Sequence, residues 1–292
     1  MGNAFVKLHL SILLAGFTGI FGKLIELPEG PLVWYRMLMA SALFFVYLAV
    51  FGKVPKVSVR QGLRIGGVGV LIALHWIFFY GSIKYANVSI AVVCFAMTGF
   101  FTALLEPLFS RRRLSIREVL FSLVTVAGIA LIFHFDSRYR AGILLGIVSA
   151  AFAALLTITM RRVGKEHASN TMLLYQMSGG FVFLTLAAPI YLWLFPDIRL
   201  TPDFPDLAYL FLLSSLCTIG MFLLQIEALR SISAFTVNLS YNLEPIYSIL
   251  LAMALFGEAS EVNPAFFAGL ALICISVALQ SAYAARQMGG GR

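Results

Sequence analysis

One acidic residue, Glu244, lies in the middle of a long apolar segment of the sequence, residues 233–256. If this segment is a helix that crosses a bilayer, the carboxylate lies near the membrane centre, where an ionised acid costs about 2.5–3.5 kcal/mol on insertion scales. We therefore expect Glu244 to face the interior of a helix bundle and to have a partner or a bound proton. Pro245 follows it, and because its ring opposes the carbonyl group of Tyr241, we predict a hinge here.

Further polar residues share the helix with Glu244. At about 100° per residue they cover two adjoining faces of the predicted helix: Asn238, Ser240, Tyr241, Asn242, Glu244, Pro245 and Ser248. About half of the helix circumference is then polar, which is too much for a surface that faces lipid. Two interpretations remain open. These side chains line a cavity, or they join neighbouring helices by hydrogen bonds.

A cation, Arg36, lies about five residues inside the outer end of the apolar segment 31–51. At 1.5 Å per residue this position is about 7–8 Å deep. The side chain either reaches back to the outer surface or faces the cavity. In the cavity it would pair with Glu244 or with a carboxylate or phosphate of a substrate, which the guanidinium group suits.

His75 and Trp76 lie near the middle of the apolar segment 63–83, and Tyr80 follows one helical turn later. A histidine within a membrane can relay protons or bind a substrate, but it can equally be neutral and hydrogen-bonded to another helix. No second histidine stands at ligand spacing, so we expect no metal site.

Four more residues are candidates of second rank. Thr98 belongs to a series at i, i+4 spacing and either lines the cavity or bonds to a carbonyl group of the preceding turn. Tyr175 and Gln176 repeat the pair Tyr35–Arg36 at an offset of 140 positions. Gln225 lies within the apolar segment 207–228.

The composition indicates an all-α integral membrane protein. The 292 residues are 61% hydrophobic and only 12% charged, whereas a soluble domain has about 25% charged residues. A bilayer core of about 30 Å needs roughly 20 apolar residues in a helix. This length predicts ten transmembrane helices, at approximately 5–25, 31–51, 63–83, 87–109, 117–135, 141–161, 170–195, 207–228, 233–256 and 263–284.

The basic residues predict the orientation of these helices. Of the 21 Lys and Arg residues, Arg36 lies within a segment, and five fall on the side opposite the N-terminus: Lys23, Lys84, Arg138, Arg140 and Arg199. The other 15 lie on the N-terminal side, and this bias places both termini in the cytosol. It also explains the net charge of +8 without a nucleic-acid partner. We expect a multi-pass protein in the cytoplasmic (inner) membrane of a bacterium, with membrane lipids around it.

The hydropathy pattern repeats, with five segments in residues 1–139 and five in residues 140–292. Because five is odd, the second copy must enter the bilayer upside down relative to the first. Inverted repeats are typical of secondary transporters, in which the substrate site lies near the midplane between the repeats. The two halves are therefore expected to form a cavity that opens to either side by alternating access.

Residues 238–258, NLSYNLEPIYSILLAMALFGE, combine a proline within a helix, small residues and Gly-Glu at the helix end. This pattern resembles the C-terminal repeat of the drug/metabolite transporter (DMT) superfamily, EamA type. The segment HWIFFYGSIKYANVSIA, residues 75–91, and the pair Tyr35–Arg36 resemble that family too. The resemblance implies transport of small metabolites, often export of amino acids or related compounds, by a ten-helix protein with two EamA-like repeats.

Three classes of function remain open. A secondary transporter of a small polar metabolite agrees best with the repeat and the single central acid. A channel or an uncoupled facilitator is the second class, and an integral membrane enzyme is the third, although GxSxG and HExxH motifs are absent. GxxxxGK[ST] is absent as well, so we expect no nucleotide cofactor and propose protons, bound at Glu244 or His75, as one candidate for the driving ion.

Overall fold

The computed structural model describes residues 2–110, 115–134, 139–241, 243–257 and 264–289. It is 86% helical, and no strand occurs among these residues. The helices of the first half of the chain are α1 (Gly2–Leu24), α2 (Glu29–Phe51), α3 (Val59–Tyr85), α4 (Val88–Phe95), α5 (Thr98–Ser110) and α6 (Ile116–His134). Those of the second half are α7 (Arg140–Gly164), α8 (Ser169–Leu194), α9 (Phe204–Ser214), α10 (Met221–Leu229), α11 (Ala234–Tyr241), α12 (Glu244–Phe256) and α13 (Pro264–Gly289).

Seven helical stretches in the described part of the chain are long and apolar enough to cross a membrane: Asn3–Leu24, Glu29–Phe51, Val59–Tyr85, Val88–Phe109, Arg140–Gly164, Ser169–Leu194 and Phe204–Leu229. Three shorter apolar helical stretches lie in the fifth, ninth and tenth predicted segments: Val119–Gly128, Ile246–Phe256 and Phe267–Ser276. Large apolar side chains are exposed on the bundle surface, among them Phe51, Trp193 and Phe204. An exposed apolar surface of this kind is what a lipid environment requires.

Short connections with capping residues set the helix ends. The Ser58 hydroxyl accepts the backbone N–H of Gln61, whose side chain bonds back to Ser58, and this capping box starts α3. The Asn87 side chain accepts the N–H of Ile90 at 2.9 Å and starts α4. At the end of α12, Gly257 has φ +68°, the left-handed conformation that glycine adopts without steric cost.

Three of the predicted straight segments are irregular. Segment four breaks at Ala96–Met97 and segment nine breaks at Leu243. At both points the backbone makes tighter bonds to the third preceding residue, Ala96 to Val93 at 3.1 Å and Leu243 to Ser240 at 3.0 Å. Segment eight contains a π-helical turn, Ser215–Gly220, between α9 and α10. Such turns occur often at functional sites.

The helices pack in a bundle in which α3 contacts both α7 and α8. At the crossing with α8, Gly69 approaches the backbone of Gln176 so closely that a methyl group at Gly69 would lie 1.9 Å from its carbonyl oxygen. The two broken segments pack against each other, α4 on α12 and α5 on α11. The irregular backbone is therefore inside the bundle, where its polar groups are covered by protein.

Candidate functional site

A cavity lies between helices from both halves of the chain, and the space not filled by protein atoms, including its open part, is about 550 Å³. Seven of the residues singled out in the sequence line it: Arg36, His75, Trp76, Gln225, Asn238, Tyr241 and Glu244. Its walls come from α1, α2, α3, α4, α7, α10, α11 and α12. The cavity therefore lies where segments from the two halves of the chain meet.

Glu244 is the first residue of α12, directly after the break, and only 4% of the residue is exposed. Pro245 lies in the first helical turn, where a missing N–H leaves no hydrogen bond unmade. The sequence predicted a hinge at Pro245, and the observed break lies immediately before Glu244. Asn242 lies outside the described residues.

The Glu244 carboxyl group receives no hydrogen bond and forms no ion pair with any residue that the structure describes. Two other groups of the cavity wall are also unpartnered within that part of the chain, the hydroxyl of Thr18 and the side-chain oxygen of Gln225. Buried polar groups are almost always hydrogen-bonded, so unpaired ones in a cavity indicate a place for a ligand or water.

Arg36 is completely buried, and protein groups hold its guanidinium. Its Nε donates to Thr218 Oγ1 at 2.8 Å, Nη1 to the Tyr80 hydroxyl at 2.5 Å, and Nη2 to the Cys217 carbonyl oxygen at 2.9 Å. The guanidinium carbon lies 3.5 Å from the centre of the Trp76 ring. Arg36 therefore joins α2 and α3 to the π-helical turn, and it forms no ion pair with Glu244.

His75 is oriented by α7. Its Nδ1 lies 2.8 Å from Ser149 Oγ and 3.2 Å from the Ser149 carbonyl oxygen. The Ser149 hydroxyl donates to the His75 carbonyl oxygen at 3.0 Å, so in this arrangement Nδ1 must be the donor. The neutral ring then has its proton on Nδ1, and Nε2 remains as an acceptor for the cavity.

Asn238 and Tyr241 have protein partners on the cavity wall. Asn238 Nδ2 donates to Thr102 Oγ1 at 2.8 Å, and its Oδ1 lies 2.9 Å from the Thr157 hydroxyl. The Tyr241 hydroxyl bonds to Ser11 Oγ at 3.0 Å. These bonds join α11 to α5, α7 and α1, so both residues also hold helices together.

Four predicted residues lie outside the cavity lining. The Tyr80 hydroxyl accepts a hydrogen bond from Arg36, and the Thr98 hydroxyl donates to the Phe95 carbonyl oxygen at 2.6 Å. The Tyr175 hydroxyl donates to the Pro55 carbonyl oxygen at 3.2 Å, near an end of the bundle. Gln176 is fully buried in α8, and neither of its amide atoms has a partner among the described residues.

Sequence reasoning missed several residues of the wall, chiefly the aromatic rings of Phe79, Phe95 and Phe222, together with Thr18 and Thr157. Phenylalanine gives no signal in a sequence with 26 of them. Thr18 and Thr157, and the positioning residue Ser149, stand out only as hydroxyls inside apolar segments. Those hydroxyls are the one sequence signal that could have identified them.

The fold and the cavity define a helical membrane protein with a polar site inside its bundle, and comparison with known proteins places it in a family. The model of the EamA-like transporter family matches residues 4–134 and again residues 140–282. The chain therefore belongs to the EamA-like transporter family, which lies within the DMT superfamily. The resemblance found in the sequence is confirmed.

Individual relatives agree with this assignment. The chain is 24% identical over 288 residues to the uncharacterized transporter YxxF of Bacillus subtilis (strain 168), covering 94% of this chain and 90% of that protein. It is 26% identical over 176 residues to the pseudopaline exporter CntI of Pseudomonas aeruginosa, covering 57% of this chain and 61% of the relative. A solved crystal structure with 18% identity matches 98% of this chain and 99% of its own, with a TM-score of 0.68, and this likeness establishes the fold alone.

Proposed function

We propose that this protein is a secondary transporter that moves a small polar metabolite, an amino acid or a related compound, across the cytoplasmic membrane by alternating access. The observation that supports this most directly is the unpartnered carboxyl group of Glu244 in a cavity between the two halves of the chain. A transporter needs a polar site that is enclosed by elements able to move against each other. We propose export as the direction, since one relative is named as an exporter.

Ten membrane-crossing segments in two inverted repeats, 1–139 and 140–292, form part of the proposal. The contacts between helices support it because they come in matching pairs. Segment three (α3) packs on segments six and seven (α7 and α8), and segment eight packs on segments one and two (α1 and α2). Segment four packs on segment six, and segment nine packs on segment one. If the two halves are exchanged, each of these contacts becomes its counterpart in the other half.

The position of the broken helices supports the same symmetry. The break at Ala96–Met97 and the break at Leu243 lie about 146 residues apart, which is half of the chain. The family model also matches each half separately. With ten segments both termini lie on one side, and the excess of Lys and Arg there supports a cytosolic location.

The proposed energy source is an ion gradient, and protons are the first candidate. The titratable groups of the cavity wall are Glu244, His75, Tyr241 and Arg36, and the guanidinium group of Arg36 is hydrogen-bonded to protein groups. Of these, Glu244 and His75 are the residues that we propose to exchange a proton with the cavity. An uncoupled facilitator is the second candidate for the function, and a pH gradient distinguishes the two.

Reconstitution in vesicles tests the proposal. We expect vesicles preloaded with a transported amino acid or small metabolite to accumulate the labelled solute by counterflow. Counterflow requires a site that alternates between the two sides, so a flux that never saturates would instead indicate a channel. Stimulation by an imposed pH gradient identifies proton coupling, and equal rates with and without the gradient identify a facilitator.

Glu244→Gln is the first variant to test, because it keeps the size of the side chain and removes the charge and the proton. We expect counterflow to be lost or to become independent of pH, with a melting temperature close to that of the parent protein. Glu106→Gln is the matched control. Glu106 is also buried, but it pairs with Arg161 at 3.7 Å and lies outside the cavity lining. Parental rates in Glu244→Gln would remove this residue from the mechanism.

A further inference from the structure

The charged groups of the central cavity differ in their availability to a ligand. Arg36 uses Nε, Nη1 and Nη2 for protein acceptors, and Trp76 covers one face of its guanidinium. It is also completely buried. Two of its five N–H groups take no part in these bonds, but because the side chain has no exposed surface, a substrate carboxylate could reach this cation only if neighbouring side chains moved. The charged group of the wall that remains unpaired, within the described chain, is therefore Glu244.

Neutral groups that line the same cavity can act as acceptors too. With the proton of His75 on Nδ1, which bonds to Ser149, Nε2 is the ring nitrogen left to accept a hydrogen bond. The side-chain oxygen of Gln225 is buried and has no partner in the part of the chain that the structure describes. A carboxylate and two neutral acceptors in one cavity favour a ligand with several N–H donors and a positive charge.

Aromatic rings form much of the rest of the wall: Trp76, Phe79, Phe95, Phe222 and Tyr241. They are arranged as a connected set, with Trp76 edge-on to Phe222 at 5.7 Å between ring centres and Phe79 edge-on to Phe95 at 6.0 Å. The faces of aromatic rings attract ammonium groups and do not attract carboxylates. A desolvated carboxylate surrounded by aromatic rings is thus a site for an organic cation.

We infer that the cavity recognises its ligand through an ammonium group, which binds Glu244, His75 Nε2 and Gln225 against the aromatic wall. Arg36 is then a positioning residue that holds the π-helical turn and Trp76 in place, and it does not bind a carboxylate of the ligand in this conformation. This inference rests on the proposed function and narrows the substrate class to primary amines and amino acids, to the exclusion of solutes that are only acids.

Three related probes separate the possibilities, because they carry the ammonium group, the carboxylate or both on the same phenyl ring and short chain. 2-Phenylethylamine has the ammonium group alone, L-phenylalanine has both groups, and 3-phenylpropionate has the carboxylate alone. We expect the first two to raise the melting temperature of the purified protein in detergent, in proportion to their binding. The dissociation constant of 3-phenylpropionate is expected to be at least tenfold weaker than that of the amine.

Two variants show whether the amine binds where we place it. Glu244→Gln is expected to weaken binding of 2-phenylethylamine at least tenfold, while Glu106→Gln keeps it. Glu244→Asp, which retains the charge on a shorter side chain, supplies a second test if the glutamine variant does not fold, and it should retain measurable binding. Binding of 3-phenylpropionate equal to that of the amine, or no binding of the amine up to 10 mM (roughly the −2.7 kcal/mol limit of a useful site), overturns the inference.

These experiments can contradict the proposed transport and the proposed ammonium site independently of each other. Saturable counterflow of 3-phenylpropionate without any effect of the amine would overturn the ammonium site and leave the transporter in place. Binding of the amine that depends on Glu244, in a protein that shows no counterflow of either amine or amino acid, would instead contradict the proposed transport and leave the site in place.

Discussion

His75 illustrates how one hydrogen bond can decide what a side chain offers to a ligand. Its Nδ1 is bound to Ser149 and the residue lines the cavity, so we place its Nε2 against the ligand. Asparagine places a polar atom near the Nδ1 position, and glutamine places one near Nε2. We therefore expect His75→Gln to bind 2-phenylethylamine within about threefold of the parent, and His75→Asn to bind at least tenfold more weakly, as for the loss of one hydrogen bond to a charged group.

The affinity of these two variants for 2-phenylethylamine is measured by thermal shift titration, and Ser149→Ala is measured as a third variant. Ser149→Ala frees the ring to rotate and to change tautomer, so an intermediate loss is expected. If His75→Asn binds as well as His75→Gln, the Nε2 position does not face the ligand and the ring serves only to join α3 to α7.

For single residues, the sequence indicated which side chains to consider for a site, but it did not predict which groups surround them. Glu244 was found because an ionisable side chain near the membrane centre is costly and is retained there mainly for a function. The partners of Arg36 could not be predicted, since Thr218 and the Cys217 carbonyl group lie about 180 residues away. The sequence left open a return of the side chain to the outer surface or a pairing with Glu244 or a substrate in the cavity, and the structure shows neutral acceptors in the π-helical turn instead.

Two glycines of α3 near its crossing with α8 differ in the space around them. Gly69 lies so close to the backbone of Gln176 that any side chain there must separate the helices. Gly67, two residues earlier, has open space around it, with no atom within 4 Å of an added methyl group. We expect Gly69→Ala to lower the melting temperature by several degrees or to prevent accumulation of folded protein.

Gly67→Ala is the control for helix propensity, because both substitutions replace glycine by alanine in the same helix. Alanine favours a helix by about 1 kcal/mol over glycine, so Gly67→Ala should be neutral or slightly stabilising. Melting temperatures are measured by intrinsic fluorescence. Equal values for the two variants would show that the close approach of Gly69 to the backbone of Gln176 is not required.

The regular helices were predictable from apolar length, and the irregular ones only in part. The break at Leu243 has a cause in the sequence, since Pro245 cannot donate to the preceding turn. The break at Ala96–Met97 has no proline or glycine within it, and the helices on either side of it, α4 and α5, pack against α12 and α11. The π-helical turn Ser215–Gly220 accepts hydrogen bonds from Arg36, a residue far away in the sequence, and no local pattern predicted it.

Over the whole molecule, two groups of ion pairs join loops to helix starts at opposite ends of the bundle. At one end, Arg64 at the start of α3 donates two hydrogen bonds to Glu166 in the connection between α7 and α8, at 2.5 and 3.1 Å. These bonds lower the pKa of the Glu166 carboxyl group. We call this pair the inner bridge, since it lies on the side that we propose to be cytosolic.

The second group of ion pairs corresponds to the inner bridge when the two halves of the chain are exchanged. Arg199 contacts Glu26, between α1 and α2, at 2.9 Å and Asp206, at the start of α9, at 3.2 Å. The backbone N–H of Glu26 also donates to Asp206 at 2.8 Å. We call it the outer bridge. Glu26 and Glu166 are 140 positions apart, the same offset that relates Tyr35–Arg36 to Tyr175–Gln176.

If the two halves move as inverted repeats, each bridge closes the cavity on its own side. Breaking the inner bridge by Glu166→Gln should favour the inward-open state, and breaking the outer bridge by Glu26→Gln should favour the outward-open state. Because exposed ion pairs contribute little, we expect shifts of about two- to fivefold in the populations of the two states. The measurement is the rate at which a membrane-impermeant thiol reagent labels Thr18→Cys from either side, with Cys94, Cys217 and Cys274 replaced.

The direction of the two shifts is the decisive result, since a general loosening of the protein raises labelling from both sides in both variants. Alternating access requires opposite changes: Glu166→Gln raises labelling from the inside and lowers it from the outside, and Glu26→Gln does the reverse. The inner and outer openings then compete for one cavity, as two states of a single equilibrium must. Parallel changes in the two variants would mean that the bridges stabilise the fold without controlling access, and that the two halves do not exchange roles.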